Sequence, residues 1–563
     1  MFGTGPSLSD FVAASDFSDG IAIAANSIVR NPEIVARIRP RIIAAADPLY
    51  HAGVSTYAGA FRAEIVAAMR ASGAWFVCPL RDFPIYDAFL PADLRPRIVG
   101  IPFDKNAPPP VHLGETFCLH PYPNVLTLAL LPLASSLADR IDIVGCDGRR
   151  YTDDSFFWSH DKQVQFTGKM AEIQAAHPAF FAIDYNDYYT EHARDVEEVA
   201  QALEAAGKTQ VTATPSCIPA LHAREPAAAP PRAETRTLVM IDPDAKDEWG
   251  HFLAYDKRVF EGAAASGLAM ALLCRTDLDP RHRPAEFDLT GPVFTVHSWM
   301  IANSKPSQQH RKDILTFARA LETGLDQVEA RVPDGEITAF FYIGWVDFAE
   351  IIEHVIAGRH RLRAVVNLFW AYRQSETDPA YKAKWAPMLA RMARGAARVA
   401  VMHSAPQIVA DYRTALGIDI PVLPHPSTTF GDAEAAARVR LPPAAATAPF
   451  RVLFPGGARK EKGLVLSVAA AAALAKDPDA RPALRVRRDV TSGPELHAAC
   501  EALDKAGIEM LDDDLSDADF VAMIETADIV VIPYHAQGFR RRTSGILVDS
   551  ILLGKPVVVL EGT

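Results

Sequence analysis

Residues 450–463 read FRVLFPGGARKEKG, an apolar run that ends in a glycine-rich, charged turn. The apolar part is short and continuous, which is typical of a strand covered on both faces. The glycines then turn the chain into a helix and allow backbone N–H groups to approach a diphosphate closely. Arg459 and Lys462 could neutralise that diphosphate. The alternative is a basic turn exposed to solvent.

The same alternation of apolar runs and helical patterns recurs along the chain. The runs predicted as strands are Ile141–Gly145, Thr237–Asp242, Ala269–Cys274, Ile337–Gly344, Arg363–Trp370, Ala397–His403, Phe450–Pro455, Asp528–Pro533 and Pro556–Leu560. Helices predicted between them include Glu191–Ala206, Phe348–Ala357 and Asp519–Thr526. This pattern predicts an α/β fold with parallel sheets, which bind ligands at the carboxyl ends of their strands.

Two segments rich in alanine and proline suggest domain boundaries. Residues 223–234 predict a semi-rigid linker, and residues 441–449 form a second break before a new strand. The predicted domains are therefore 1–222, 235–440 and 447–563. A first strand would have to precede Gly3, and the chain stops at Thr563 directly after an apolar run. We therefore expect the sequence to be a fragment, with the last domain incomplete.

Composition narrows the class of protein. The chain has 563 residues and a formal net charge of -12, which argues against a general nucleic-acid binder, because phosphate backbones need a dense cationic face. Its six cysteines form no Cys-x-x-Cys pair, which is typical of a reducing compartment. No run approaches the ~18 apolar residues of a membrane span, and no signal peptide is visible. We expect a cytoplasmic protein and leave open a peripheral contact with the inner face of the membrane.

The N-terminal third contains a series of short motifs at predicted strand ends. Gly3-Thr4-Gly5-Pro6-Ser7 would form a turn suited to a phosphate, and Asn26 follows some way downstream. Gly145-Cys146-Asp147-Gly148 comes after a middle strand, and Tyr188-Tyr189-Thr190-Glu191-His192 opens a helix. Taken singly, each motif also fits an ordinary turn or helix start.

In this order, the motifs resemble bacterial sialyltransferases and their flagellin-glycosylation relatives over roughly residues 1–222. The resemblance implies one Rossmann-like domain that binds a CMP-activated nonulosonic acid and transfers it with inversion, without an essential metal. It implies that Gly3, Gly5 and Ser7 lie near the nucleotide phosphate and that Asn26 lies near the nucleotide or donor.

The same resemblance assigns roles to the helix start. His192 matches the family's general base, which removes a proton from the acceptor hydroxyl, and imidazole suits that task near neutral pH. Tyr188 and Tyr189 would bond the phosphate of the leaving CMP. The alternative for His192 is an exposed residue beside Glu191. The sequence departs from the family at Pro123-Asn124, where a Ser-Gly pair is expected.

The C-terminal part contains a second ordered series of motifs. The Gly456–Gly463 turn is followed by Ala527-Asp528 before an apolar run that ends at Pro533, and by Gly554-Lys555-Pro556-Val557-Val558. This order resembles the donor-binding half of retaining GT-B glycosyltransferases, the large group that includes sucrose and mannosyl enzymes. The resemblance implies two Rossmann-like halves, 235–440 and 447–563, with a nucleotide sugar held by the second.

The resemblance also implies a set of donor-binding residues. Gly457, Arg459 and Lys462 would hold the diphosphate, and Asp549 would bind the ribose in place of the family's Glu. Arg541 stands where the family has another Glu, so the basic run Arg540–Arg542 either replaces it with phosphate contacts or marks a changed mechanism. The alternative for this run is an exposed, solvated loop. Ser544 is a further candidate for donor binding. Four histidines are further candidates for acceptor or phosphate contacts, with a core or edge position as the alternative: His251, His297, His403 and His425.

Together these patterns predict a bifunctional bacterial glycosyltransferase. One domain would use a CMP-nonulosonate-like donor and the other a UDP- or GDP-sugar, to extend a cell-surface glycan or lipid-linked acceptor. We expect no cofactor, no metal and no nucleic-acid partner. The alternative is one catalytic unit joined to a degenerate binding module. A nicotinamide dehydrogenase is disfavoured, because no Gly-x-Gly-x-x-Gly links a strand to a helix with an acidic residue at the required distance.

Overall fold

The computed structural model describes most of the chain. The described residues are 1–17, 19–153, 172, 175–176, 178, 182, 184–226, 236–246, 252–279, 289–303, 307–342, 344–368, 379–394, 398–423, 449–456, 462–485, 494–511, 515, 517–535, 539 and 544–561. Their contacts divide the chain into two compact units. The first comprises Met1–Glu234, Val346–Ala364 and Asp378–Ala400, and the second comprises Thr235–Trp345, Val365–Thr377 and Val401–Thr563.

The first unit contains a parallel sheet of short strands. Its strands are β1 (Ile23–Ala25), β2 (Ile42–Ala44), β3 (Trp75–Pro79), β4 (Ile98–Ile101), β5 (Arg140–Ile143) and β6 (Thr209–Thr212). Strands β1 to β4 pair in sequence order, and β5 pairs with β6. Phe2 joins the two groups, because it forms parallel bridges to both Ala24 and Val144. The full order is therefore β6-β5-Phe2-β1-β2-β3-β4.

Helices cover this sheet and bury its apolar faces. Those of residues 1–234 are Leu8–Ala14, Pro32–Ile38, Pro48–Ala52, Thr56–Ser72, Phe83–Phe89, Leu113–Thr116, Leu131–Leu137, Tyr185–Ala205 and Pro219–His222. Short 3-10 helices at Asn26–Arg30 and Arg95–Arg97 and a π turn at Leu126–Leu130 complete them. The core includes the fully buried side chains of Phe61, Phe76 and Tyr86. The helices Val346–Ile356 and Pro379–Ala393 also lie within the first unit.

The middle of the chain forms a six-stranded sheet. Its strands are β7 (Arg236–Ile241), β8 (Ala269–Arg275), β9 (Leu289–Phe294), β10 (Glu336–Phe341), β11 (Leu362–Asn367) and β12 (Val399–Met402). Their order is β12-β11-β10-β7-β8-β9, and the pairs β10–β7, β7–β8 and β8–β9 are parallel. Further helices in this region are Phe252–Ala265, Ser298–Asn303, Gln308–Arg331 and Pro406–Leu416.

The C-terminal region forms a five-stranded parallel sheet. Its strands are β13 (Phe450–Phe454), β14 (Ala480–Arg485), β15 (Glu509–Leu511), β16 (Ile529–Ile532) and β17 (Val557–Val559), in the order β15-β14-β13-β16-β17. Helices lie between them at Leu464–Leu474, Pro494–Lys505, Asp517–Glu525 and Gly545–Leu552.

The α/β class with parallel sheets is confirmed, and every run predicted as a strand contains one. Among the described residues, no helix has both the length and the apolarity needed to span a bilayer. Residues 1–3 lie in the sheet of the first unit, where the Gly3 N–H donates to the Val144 carbonyl at 2.8 Å. The predicted domain bounds follow the three sheets and do not coincide with the two contact-defined units; they stay a prediction.

Candidate functional site

Each sheet reverses its strand order at one place. The order reverses between Phe2 and β5 in the first sheet, between β7 and β10 in the second, and between β13 and β16 in the third. At such a reversal, the loops leaving the two neighbouring strands run in opposite directions and leave a crevice at their carboxyl ends. These three places are where this fold class binds ligands, so the residues there are the candidate sites.

At the first reversal, the predicted Gly3–Ser7 turn meets the predicted Gly145–Asp147 turn. The backbone N–H of Ser7 donates to Asp147 Oδ2 at 2.7 Å, and the Ser7 hydroxyl donates to Asp147 Oδ1 at 2.5 Å. The Gly5 N–H donates to the Gly145 carbonyl at 2.7 Å. The donors expected to face a phosphate therefore hold a carboxylate in this structure, and a phosphate would have to displace Asp147 to use them.

Both glycines of this turn allow the two loops to approach closely. A Cβ on Gly3 would lie 2.5 Å from the Gly145 carbonyl oxygen, and one on Gly5 would lie 2.5 Å from the Asp147 carboxyl carbon. Contacts this short exclude any side chain. The glycines thus have a packing role at the crevice, in addition to any ligand contact.

Asn26, which follows β1, begins a hydrogen-bonded chain of side chains. Its Oδ1 accepts from the Ser27 N–H at 2.9 Å, which turns Nδ2 towards His51 Nε2 at 2.8 Å. An amide nitrogen only donates, so His51 Nε2 accepts and its Nδ1 carries the proton. Nδ1 lies 2.7 Å from the Tyr57 hydroxyl. His51 and Tyr57 are buried, whereas Asn26 is half-buried and can present polar atoms to a ligand.

Asp47 follows β2 at the same edge of the sheet. It has a φ of 56°, a left-handed conformation that is uncommon for a residue other than glycine and that often marks a functional position. Its side chain is exposed. Desolvation by surrounding protein atoms raises the pKa of its carboxyl, and the negative charge of Asp82 raises it further. Asp47 is therefore a candidate acid or base that the sequence reasoning missed.

The predicted residues of the helix Tyr185–Ala205 are held by protein contacts. The Tyr188 hydroxyl donates to the Pro123 carbonyl at 3.1 Å, and the Tyr189 hydroxyl donates to the Cys217 carbonyl at 3.1 Å. His192 is only 3% exposed, and burial lowers its pKa to about 4. Its imidazole is therefore neutral at pH 7 and can accept a proton, but it is a weak base in this environment.

The second reversal contains buried carboxylates that close its loops. Asp242 Oδ1 accepts the N–H groups of Asp244 and Ala245 at 2.8 and 2.9 Å. Burial and the neighbouring Asp244 raise the pKa of Asp242, while burial and Asp242 raise that of Asp256, which is also fully buried. Because two adjacent buried carboxyls cannot both ionise readily, this pair retains a proton at neutral pH.

Two of the four candidate histidines lie at the edge of this sheet. His297 Nδ1 is 3.2 Å from Asp244 Oδ1, and Asp244 also accepts the Ser298 N–H at 2.9 Å. His403 is buried, and its Nδ1 accepts the Ala405 N–H at 2.8 Å. Both are bound within the protein, which agrees with the core or edge alternative. His251 and His425 lie outside the described residues.

At the third reversal, the turn after β13 contacts the turn after β16. Gly463 has a φ of 73°, and a Cβ there would lie 1.8 Å from the Pro533 carbonyl oxygen. Lys462 Nζ lies 5.9 Å from the centre of the Tyr534 ring, within reach of a cation–π contact. Gly463 also precedes the helix Leu464–Leu474, whose N-terminus carries a partial positive charge. A lysine, a helix N-terminus and an aromatic ring are thus placed together at a strand-end crevice.

The other predicted donor residues are divided between described and undescribed segments. Ser544 caps the helix Gly545–Leu552, because its hydroxyl accepts the Leu547 N–H at 3.3 Å. Asp549 lies in that helix and is 2% exposed. Gly457, Arg459 and Arg541 lie outside the described residues.

No protein-family model and no curated protein matches the chain. Comparison with solved structures finds weak similarity to this chain. A sucrose-phosphate synthase from Thermosynechococcus elongatus matches with 16% identity and a TM-score of 0.37, over 57% of this chain and 81% of its own. A trehalose-phosphate synthase from Burkholderia vietnamiensis matches with 12% identity and a TM-score of 0.38, over 58% and 82%. Scores this low establish neither a shared fold nor a shared activity.

The lipopolysaccharide outer core galactosyltransferase WaaB is similar to this chain to the same degree. Its identity is 14% and its TM-score 0.37, over 58% of this chain and 80% of its own.

Asp147, His51, Asp47 and Asp242 were not among the predicted site residues, although each follows a strand. Three of them had a usable signal. Asp147 sits in a Gly-rich turn, while Asp47 and Asp242 come directly after apolar runs and stand before a proline. The partnership of His51 with Asn26 has no such signal, because it depends on how two loops meet in space.

Proposed function

We propose that this chain is a cytoplasmic glycosyltransferase that binds nucleotide-activated sugars at the crevices where its sheets reverse. The finer proposal follows the sequence resemblances. The first sheet would take a CMP-nonulosonate-like donor and the third a UDP- or GDP-sugar, and the acceptor would be a cell-surface glycan or its lipid-linked precursor. No cofactor and no essential metal are assigned to the transfer.

The observation that carries the proposal is the placement of Lys462. A nucleotide diphosphate needs cations and backbone N–H groups in one place. Lys462 precedes the N-terminus of the helix Leu464–Leu474 at the crevice between β13 and β16. The Tyr534 ring beside it offers an aromatic face. In this arrangement, Lys462 would bind the diphosphate and stabilise the charge that develops as the sugar leaves.

The test uses the full chain and measures release of free CMP, UDP and GDP from a panel of nucleotide sugars. We expect Lys462→Ala to lower kcat/KM for a UDP- or GDP-sugar at least about tenfold, a loss of about 1.4 kcal/mol of transition-state stabilisation. Lys476→Ala is the matched control, because Lys476 is exposed just beyond the other end of the same helix. Equal activity of the two variants would refute the role of Lys462.

A specific observation also favours the alternative in which the N-terminal domain is a binding module. Its Ser7 donors are occupied by Asp147, and His192 is buried with a lowered pKa. The same assay separates the two functions. A catalytic domain releases CMP, and His192→Gln abolishes that release while leaving UDP or GDP release intact. A binding module releases no CMP from any donor and still binds a nucleotide or glycan in calorimetry.

A further inference from the structure

A cluster of metal-ligating side chains lies in the first unit, away from the crevices at the sheet reversals. His222 ends the helix Pro219–His222, Glu225 follows it by three residues, and His360 lies in the turn between Val346–Ile356 and β11. His222 Nδ1 is 3.0 Å from Glu225 Oε1, and His360 Nδ1 is 3.2 Å from Glu225 Oε2. One ligand atom from each residue lies within 4.8 Å of the other two.

Two side chains of this cluster are buried and contain polar atoms without a hydrogen bond among the described residues. His222 and Glu225 have side chains that are 3% and 5% exposed. Within the described chain, His222 Nε2 has no hydrogen-bond partner, and the close contacts of His222 Nδ1 and of Glu225 Oε2 do not have hydrogen-bond geometry. A buried polar group without a hydrogen bond destabilises the folded state, and a metal ion bound to the ring nitrogen would offset that cost.

The spacing of the three groups suits coordination. In a tetrahedral zinc site with bonds of about 2.0–2.1 Å, neighbouring ligand atoms stand about 3.3 Å apart. The two measured distances, 3.0 and 3.2 Å, are close to that value. The Ser216 N–H donates to Glu225 Oε1 at 2.8 Å and so orients the carboxylate, as outer-shell partners of metal sites do.

The surrounding charge is compatible with a bound cation. Arg398 lies beside the cluster, and its guanidinium donates to the His360 carbonyl at 2.6 Å. Burial lowers the pKa of Arg398, and the negative charge of Glu225 raises it, so Glu225 acts on Arg398 as an anion. The Glu225 carboxylate would partly neutralise a metal cation bound to it. Solvent would screen the cation at His360, because that side chain is half-exposed.

We propose that His222, Glu225 and His360 bind one divalent transition-metal ion of the zinc class. Two imidazoles and one carboxylate are a ligand set that zinc accepts, and they leave a fourth position for water. The ion links the segment after the last helix of residues 1–222 to a turn that lies far along the chain in the same unit. The ion would cross-link these two segments, and the proposal does not depend on the proposed glycosyl transfer.

The experiment uses the purified full chain without a histidine tag, which is stripped with a chelator, incubated with excess zinc and then dialysed to remove unbound metal. Zinc content is measured by mass spectrometry, cobalt binding by its visible absorption, and the melting temperature with and without zinc. We expect about one zinc per chain and a higher Tm with the ion. His360→Gln should weaken zinc binding by about tenfold or more and remove the rise in Tm, without disrupting the fold, because this side chain is half-exposed.

Glu225→Gln provides a second variant in case removal of either histidine perturbs folding, and it should weaken binding in the same way. His310→Ala is the matched control, because this histidine lies at the start of the helix Gln308–Arg331, in the other unit. Unchanged zinc affinity in both His360→Gln and Glu225→Gln would overturn the proposal. So would a wild-type chain that retains no zinc after dialysis and shows no change in Tm.

Discussion

At the scale of single residues, Gly463 illustrates how a predicted binding residue also has a packing role. The sequence places it in a glycine-rich turn suited to a phosphate, and this placement after a strand and before a helix is confirmed. The sequence does not reveal the steric reason for a glycine at position 463. The Pro533 carbonyl lies directly against its Cα, and that contact depends on how β13 and β16 pair.

We therefore expect Gly463→Ala to destabilise the second unit by more than about 1 kcal/mol, because alanine meets both a left-handed φ and a blocked Cβ position. Gly507→Ala is the control. Its φ of 80° is also left-handed, but nothing lies within 4 Å of its Cβ position, so it tests the backbone cost alone. Urea denaturation of the full chain measures the difference. Equal losses in the two variants would show that Pro533 yields without cost.

At the scale of helices and strands, sequence patterns succeeded where a run was continuous and apolar. They missed β2, which is three residues long, and β14, where Arg481, Pro482 and Arg485 interrupt the apolar pattern. They also missed β3, although it is a continuous apolar run, and β4, β9 and β15. They also could not show that helices from residues 346–400 lie in the first unit, since that depends on charged side chains far apart in the sequence.

Arg391 joins those two helices to the helix Tyr185–Ala205 through a buried cluster of charges. Its guanidinium lies 2.8 Å from Glu197 and 2.5 Å from Glu353, and all three side chains are 6–7% exposed. Burial alone would lower the pKa of Arg391, but Glu353 and Glu197 outweigh it and raise the pKa. The positive charge of Arg391 therefore compensates the negative charges of both buried carboxylates.

We expect Arg391→Met to destabilise the first unit by about 3–5 kcal/mol, because it removes the arginine closest to two buried carboxylates and leaves Glu197 with the more distant Arg224, at 3.7 Å. Arg70→Met is the control, since Arg70 and Asp93 form an ion pair with side chains 54% and 60% exposed. Exposed pairs contribute about 0–1 kcal/mol. Chemical denaturation compares the variants, and a loss below about 1 kcal/mol for Arg391→Met would contradict this account.

At the scale of the whole molecule, the buried Asp242 and Asp256 link stability to pH. Burial raises the pKa of both carboxyls above that of an unfolded chain, which is about 4. The folded protein thus holds more protons than the unfolded one at any pH between these values. The contribution of the pair to stability is complete below about pH 4 and is lost as the pH rises through the raised pKa.

We expect Asp256→Asn to make stability depend less on pH, because the amide needs no proton to remain neutral. Between pH 5 and pH 8, the wild type should lose at least about 1.4 kcal/mol more than the variant, the equivalent of one pKa unit. Asp334→Asn removes an equal formal charge at an exposed position and serves as the control. Parallel pH profiles of Tm for the two variants would count against a shared buried proton.

The fold class, the strand ends and several crevice residues were thus predictable from the sequence, because apolar runs and glycine turns are local. The interaction partners of these residues were not predictable from the sequence. Ser7 with Asp147, His222 with His360 and Asp242 with Asp256 are each brought together by the tertiary fold. A sequence identifies such groups as candidates, but only the packing decides which of them share a site.

The position of Phe2 between β1 and β5 has a consequence for synthesis on the ribosome. Phe2 is translated well before Val144, one of its two neighbours in the sheet. Until then, one side of this central strand offers unsatisfied N–H and C=O groups to any extended peptide nearby. Closing so large a loop is also slow. The nascent chain therefore passes through a stage at which chaperone binding would protect it from aggregation.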